Sequence, residues 1–234
     1  MKLTTKRFFI SVILILIFGL LTTTTIHKRY SLHAYSLAQI KATGACLACS
    51  LAGSDLQHVD LSGTDLRGAN LKGANLKATN LEGANLNGAI LIEANLYRAN
   101  LYEANLTNAV LSSADLSKAY LVKSNLSGAN LTEASLSRAD MSNSILKGAN
   151  LSKADLSYTN LHFTNLYRAD LTKANLTGAK LLNTHLLESI LDLTDLSGID
   201  LSNVNLQGTR LNNVVYCQTQ FPDGAIINVG CPQF

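Results

Sequence analysis

The chain has no tryptophan, and its 234 residues include only two prolines, Pro222 and Pro232. Aromatic residues make up 6%, although 47% of the residues are hydrophobic. So much apolar mass excludes a disordered polar tail. Because it is built on Leu and Ala rather than aromatic rings, it points to many small, alike packing units. Acidic residues are missing from positions 1–50, which carry Lys2, Lys6, Arg7, Lys28, Arg29 and Lys41. The net charge of +3 therefore divides into +6 for the leader and −3 for residues 51–234, which hold 13 basic and 16 acidic side chains. Such a body lacks the basic footprint of a nucleic-acid binder, and no nucleic-acid partner is expected.

The leader places three cations before fourteen strongly apolar residues at 8–21, and the uncharged stretch continues to Ile26, 19 residues in all. A positive segment followed by an apolar one is the pattern of a secretory signal, and the uncharged stretch is also just long enough to span a bilayer. Residues 1–30 are read as a signal peptide or a signal-anchor transmembrane helix, with membrane contact through residues 8–26 if it stays uncleaved. Residues 31–45 are read as a linker. The body is expected to be exported to a periplasmic, lumenal or other extracytoplasmic space.

From residue 51 to 211 every fifth residue is Leu, except Met141: 33 positions, 32 of them Leu. Taking that Leu as position i, i−2 is Ala 18 times and Ser, Thr or Cys 12 times, while i−1 is Asn or Asp 23 times. Gly stands at i+2 eleven times, so the unit reads as in Ala69-Asn70-Leu71-Lys72-Gly73. On an α-helix five steps of about 100° would spray the Leu side chains around every side. On a plain strand an odd spacing would throw alternate Leu onto opposite faces. A short extended piece with i−2 and i pointing the same way, followed by a turn that resets the phase, satisfies the pattern. Asn or Asp at i−1 and Gly at i+2 supply turn chemistry. Both prolines fall beyond the last unit, so none interrupts the repeat. Ile90, Val110 and Ile190 are exceptions at i−1 separated by multiples of 20, which supports a 20-residue coil.

This pattern closely resembles the pentapeptide-repeat family over about residues 46–221, with Cys46, Tyr216 and Phe221 also in the Leu register. The resemblance implies an all-β fold, a right-handed quadrilateral β-helix of about eight coils over 46–213, here preceded by the N-terminal hydrophobic helix. The apolar tail 214–234 reads as a C-terminal cap, and its 216–224 stretch resembles terminal sequences of exported bacterial members. Leu182, Leu187, Ile190 and Leu193 take outward positions on about one coil, as a belt covered either by the tail or by a second subunit. Members that dimerise through their C-terminal coils make a homodimer the analogous expectation.

Cys46 and Cys49 fall at the first coil, Cys217 and Cys231 past the last. With about eight coil spacings between the pairs, one four-Cys zinc site and crosswise disulfides are excluded. In an exported chain the expectation is one disulfide at each end.

His58, His162 and His185 have no nucleophile or carboxylate recurring at a fixed coil offset, and no phosphate loop, nucleophile elbow or metal-helix motif is present. No catalytic residue, metal or cofactor is expected. Tyr158, His162, Phe163 and Tyr167 are read as an outward aromatic patch for a partner of unknown identity. Arg98, Lys118 and Arg138, spaced by 20, would stack into a basic stripe continued by Tyr158, read as solvated charge balanced by nearby acids. The expected function is a non-catalytic extracytoplasmic scaffold for protein–protein interaction. The alternative is the DNA-mimic mode of quinolone-resistance members, which occupy the DNA site of gyrase. It requires a strongly negative cytosolic rod, whereas residues 51–213 hold 13 basic and 15 acidic side chains, a net of −2.

Overall fold

The computed structural model describes residues 38–40 and 42–231. The signal or anchor reading of residues 1–30, its 8–26 span and the N-terminal hydrophobic helix lie outside the described residues. Among the described residues no helix is long and apolar enough to cross a membrane.

The five-residue unit folds as its spacing requires. In the unit of Leu71, the Leu71 N–H donates to the Ile90 carbonyl at 2.7 Å and the Gly73 N–H to the Ile92 carbonyl at 2.8 Å, both on the next coil. The Asn70 N–H donates to the Cys49 carbonyl of the previous coil at 2.8 Å. Ala74 then donates to the Leu71 carbonyl at 3.0 Å, closing a turn whose third residue, Gly73, has φ of 61°. That is the type II arrangement. Parallel bridges join each i−1 residue except Lys180 to the one twenty later, from Ala45 with Asp65 to Asp200 with Gln220. Four units therefore make one coil. The faces are numbered from four successive units: face 1 from 54–58, face 2 from 59–63, face 3 from 64–68 and face 4 from 69–73.

Every i+2 residue from Ala48 to Gln218, except Asn203, has positive φ. This includes Tyr158, Phe163 and Leu193, side chains that pay roughly 1–2 kcal/mol in that region. Gly at i+2 was legible as turn chemistry. What the structure adds is that almost every unit takes the conformation whatever residue stands there, and in most units hydrogen bonds to the next coil pin the turn on both sides.

The inward positions form one continuous core. The Leu side chains from Leu51 to Leu201 are 0–2% exposed, and Met141 sits in the same register at 0%. Each contributes roughly 1.5–3 kcal/mol by burial. Ser and Thr at i−2 are buried with their hydroxyls satisfied by backbone: Ser124 donates to the Leu121 carbonyl of its own turn at 2.6 Å, and Thr79 to Leu56 of the previous coil at 2.7 Å. Ser54 is the exception, its buried hydroxyl unpartnered.

Both ends are closed. Within the segment 31–45, residues 38–40 and 42–43 are helical and Ile40 is buried in the core cluster at 5% exposure. Cys46 and Cys49 are disulfide-bonded across a Cα separation of 5.4 Å. At the other end β1 (Thr219–Gln220) pairs antiparallel with β2 (Ile226–Ile227), while Gln220 also bridges to Asp200 of the preceding coil. The hairpin thus covers a ladder edge that would otherwise be free. Tyr216 and Phe221 pack against the core with ring centroids 5.5 Å apart, and Cys217 is bonded to Cys231.

Candidate interaction surfaces

The outward Asn and Asp side chains are occupied with construction. Asp140 accepts the Ser142 N–H at 3.0 Å and Asn150 the Ser152 N–H at 2.9 Å, each tying down the following turn. Some also bond from coil to coil: the Asn100 amide donates to Asn80 and the Asn80 amide to Asp60, both at 3.0 Å. Hydrogen bonds from Ser62 hold the Asp60 carboxyl below its ordinary 3.8. Among the described residues no group of three or more His, Cys, Asp or Glu is placed to hold a metal ion.

The aromatic set at 158–167 is not one patch. Tyr158 and Phe163, 59% and 54% exposed, occupy the i+2 corners of faces 1 and 2, and Tyr167 lies on face 3. No ring contact joins these residues among the described contacts. Tyr158 instead lies under the Arg138 guanidinium, 5.5 Å from ring centroid to Cζ, and over Gly178, where a Cβ would meet the ring at 2.7 Å. Tyr167 is flanked by Lys147 at 5.5 Å and Arg168 at 4.9 Å. His162 is half-buried, its Nδ1 unpartnered, and it lines a cleft of about 320 Å³ with Gly178, Lys180, Leu182 and Asp200. Closeness in sequence was read as closeness in space, and the square corners separate what the numbering adjoins.

The apolar belt is open in part. Leu182 and Leu193 are 43% and 48% exposed, while Leu187 and Ile190 are half-buried. The tail does not shield the two exposed leucines, and it adds exposed Ile226 and Val229 of its own. In the same region the parallel bridge between Lys180 and Asp200 is missing from an otherwise unbroken series, and the cleft lies at that break.

The basic stripe corrects the expectation of local balance. Five ion pairs are present among the described residues. Three of them join i+2 corners of successive coils: Lys123 with Glu103 at 3.3 Å, Lys153 with Glu133 at 2.7 Å and Arg168 with Glu188 at 2.6 Å. Arg98, Lys118 and Arg138 belong to none. They rest on tyrosines instead: Arg98, Lys118 and Lys77 all lie within 5.3–5.9 Å of the Tyr97 ring centroid. The Lys118 ammonium donates to the Tyr97 hydroxyl at 3.2 Å, and chiefly for that reason the phenol is held below its ordinary 10.0. Sequence reading missed the role of Tyr97, although its position, one coil from Lys77 and next to Arg98, was a usable signal.

A family model described as pentapeptide repeats matches in eight copies within residues 49–215. Among solved structures, HetL of the cyanobacterium Nostoc sp. strain PCC 7120, a pentapeptide repeat protein involved in heterocyst differentiation regulation, is 32% identical with a TM-score of 0.34. That match covers 82% of this chain and 98% of HetL. A pentapeptide repeat protein of the Arabidopsis thaliana thylakoid lumen is 38% identical over 44% of this chain and 68% of its own, with a TM-score of 0.35. QnrB1, a plasmid-mediated fluoroquinolone resistance protein, is 20% identical over 72% of this chain and 91% of its own, with a TM-score of 0.41. No curated protein matches the chain.

Proposed function

The chain belongs to the pentapeptide-repeat family, and from that premise we propose that it is a non-catalytic, extracytoplasmic scaffold presenting a rigid surface to a protein partner. One observation carries the proposal. Hydrogen bonds between coils recur along the rod, so outward side chains stand in fixed columns about 4.8 Å apart along it. Such preorganisation lowers the ordering cost of binding at those columns. The inward side chains form the core and the outward amides tie down turns, so no cofactor enters the proposal. Two disulfides, one at each end, suit an oxidising compartment, as does the leader's charge pattern. The exposed Leu182 and Leu193 support a homodimer through the C-terminal coils. The DNA-mimic reading gains nothing from a surface with a net charge near zero.

A reporter fused after Phe234 tests the location: activity outside the cytosol is expected, and a cytosolic reporter would overturn it. Crosslinking of the full chain in its native cells tests the scaffold. A defined protein partner is expected, and recovery of nucleic acid alone would contradict the reading.

A further inference from the structure

We infer that the corner column between faces 1 and 2 is a docking stripe for an extended acidic peptide segment of a partner protein. This rests on the scaffold reading and names the chemistry of its partner. The corner carries Arg98, Lys118, Arg138 and Tyr158, one residue per coil, and Lys77 stands beside it at the lower end, next to Ala78, which holds the corner there. All four cations and Tyr158 are exposed, and Tyr97 is half-buried beneath three of the cations.

Three of the four other corner cations, Lys123, Lys153 and Arg168, are paired with an acid one coil away, Lys173 being the exception. Here three successive corner residues are cationic, so no such alternation exists. Three of the acids on either side are engaged elsewhere: Glu103 pairs with Lys123, Glu133 pairs with Lys153, and Glu82 accepts the Asn100 amide at 3.2 Å; Glu93, two coils from Glu133 at the same neighbouring corner, belongs to no ion pair and adds to the acidic border. Tyrosines gather the cations without cancelling their charge, since a ring offers its π face and a phenol oxygen but no counter-ion. Tyr158 is seated over Gly178, where any side chain would collide with it, so the upper end of the stripe is held in place.

The width of the stripe selects the partner. It is one column wide and bordered by Glu82 and Glu103 on one side and by the Glu133 corner on the other. A flat anionic bilayer or a nucleic-acid duplex would press its charge against those carboxylates. A single extended chain lying along the rod meets the cations and avoids them. Alternate side chains of such a chain are about 6.6 Å apart against a coil spacing of about 4.8 Å, a mismatch that long Lys and Arg side chains absorb.

The test uses the full chain and a short fluorescent peptide of alternating Glu and Ser, read by anisotropy. Binding is expected to weaken steeply with salt and to fall by about tenfold or more in R98Q/K118Q/R138Q. It is expected to be unchanged in K147Q/K173Q, which removes two unpaired cations from other faces. Circular dichroism checks that both variants keep the fold, and single Gln variants replace the triple one if it does not. Tyr97→Leu, which leaves the charges and frees their orientation, should weaken binding several-fold. Equal binding by the triple variant, no binding by the native chain, or preference for a single-stranded oligonucleotide or anionic-lipid vesicles over the peptide would overturn the stripe. A native partner still crosslinked to the triple variant would overturn the stripe alone and leave the scaffold standing. A cytosolic reporter would overturn the proposed location and leave peptide binding in vitro untouched.

Discussion

The coils up to residue 175 and those that follow are built from the same pentapeptide, yet they are held together differently. In the earlier coils the parallel bridges are complete, and from Leu51 to Leu171 the residues of the Leu register are at most 1% exposed. Beyond them the bridge between Lys180 and Asp200 is lost, Leu206 and Leu211 are only half-buried, and the outward Leu182 and Leu193 are exposed. The outward i−1 position accounts for the contrast. Ile90, Val110, Tyr120 and Ile145 replace Asn or Asp singly, each between units that keep it, and all of them retain their bridges. Lys180, His185 and Ile190 replace it three times in succession. One missing side-chain acceptor is tolerated because its neighbours hold the turns; three in a row remove that support from three sides of one coil.

The largest expected difference is in the core. Leu116→Ala, at a site with 0% exposure, should cost about 2–5 kcal/mol, and Leu211→Ala clearly less, because a half-buried site leaves little cavity. Chemical denaturation of the two variants checks this. Next comes the C-terminal disulfide, with a sequence separation of 14 between its cysteines. Replacing Cys217 and Cys231 by Ser should cost about 3 kcal/mol, and the corresponding change at Cys46 and Cys49 much less, since the loop there is far shorter. Limited proteolysis should then cut the C-terminal tail first.

A smaller effect runs the other way. Restoring the acceptors with Lys180→Asn and His185→Asn should stabilise the last coils by about 1 kcal/mol per hydrogen bond regained. The same change at Ile145, where the ladder is already closed, should add less.

The smallest effect is set by pH. Asp60 and Asp200 are held below their ordinary 3.8 by hydrogen bonds from Ser62 and Ser202, and Asp65 by its hydrogen bonds from Arg67. A lowered folded value means that their contribution is present above about pH 4. It is lost as pH falls through the folded values. Asp60→Asn keeps an acceptor for the Ser62 N–H and should flatten the acid limb of a stability curve; a limb unchanged in D60N would show that this carboxylate takes no part.

Much of the rod was legible because period five admits few backbones, and the buried Leu and Ala stand where the pattern put them. The Cys46–Cys49 and Cys217–Cys231 pairs could be placed for the same reason: a solenoid turns sequence position into height. What stayed hidden depends on direction rather than height. The gathering of Lys77, Arg98 and Lys118 on Tyr97 needs side chains to lean across coils, and Tyr158, Phe163 and Tyr167 part company because each stands at or near a different corner. The open bridge needed the joint reading of three units that look unremarkable singly.

Hydrogen exchange on the full chain tests the contrast most directly. The Leu161 and Phe163 N–H groups donate to the next coil at 2.9 and 3.0 Å, whereas Leu181 and Asn183, their counterparts twenty residues on, make no such bond. The amides of Leu181 and Asn183 should exchange far faster than those of Leu161 and Phe163. Equal protection of the two pairs would contradict the account.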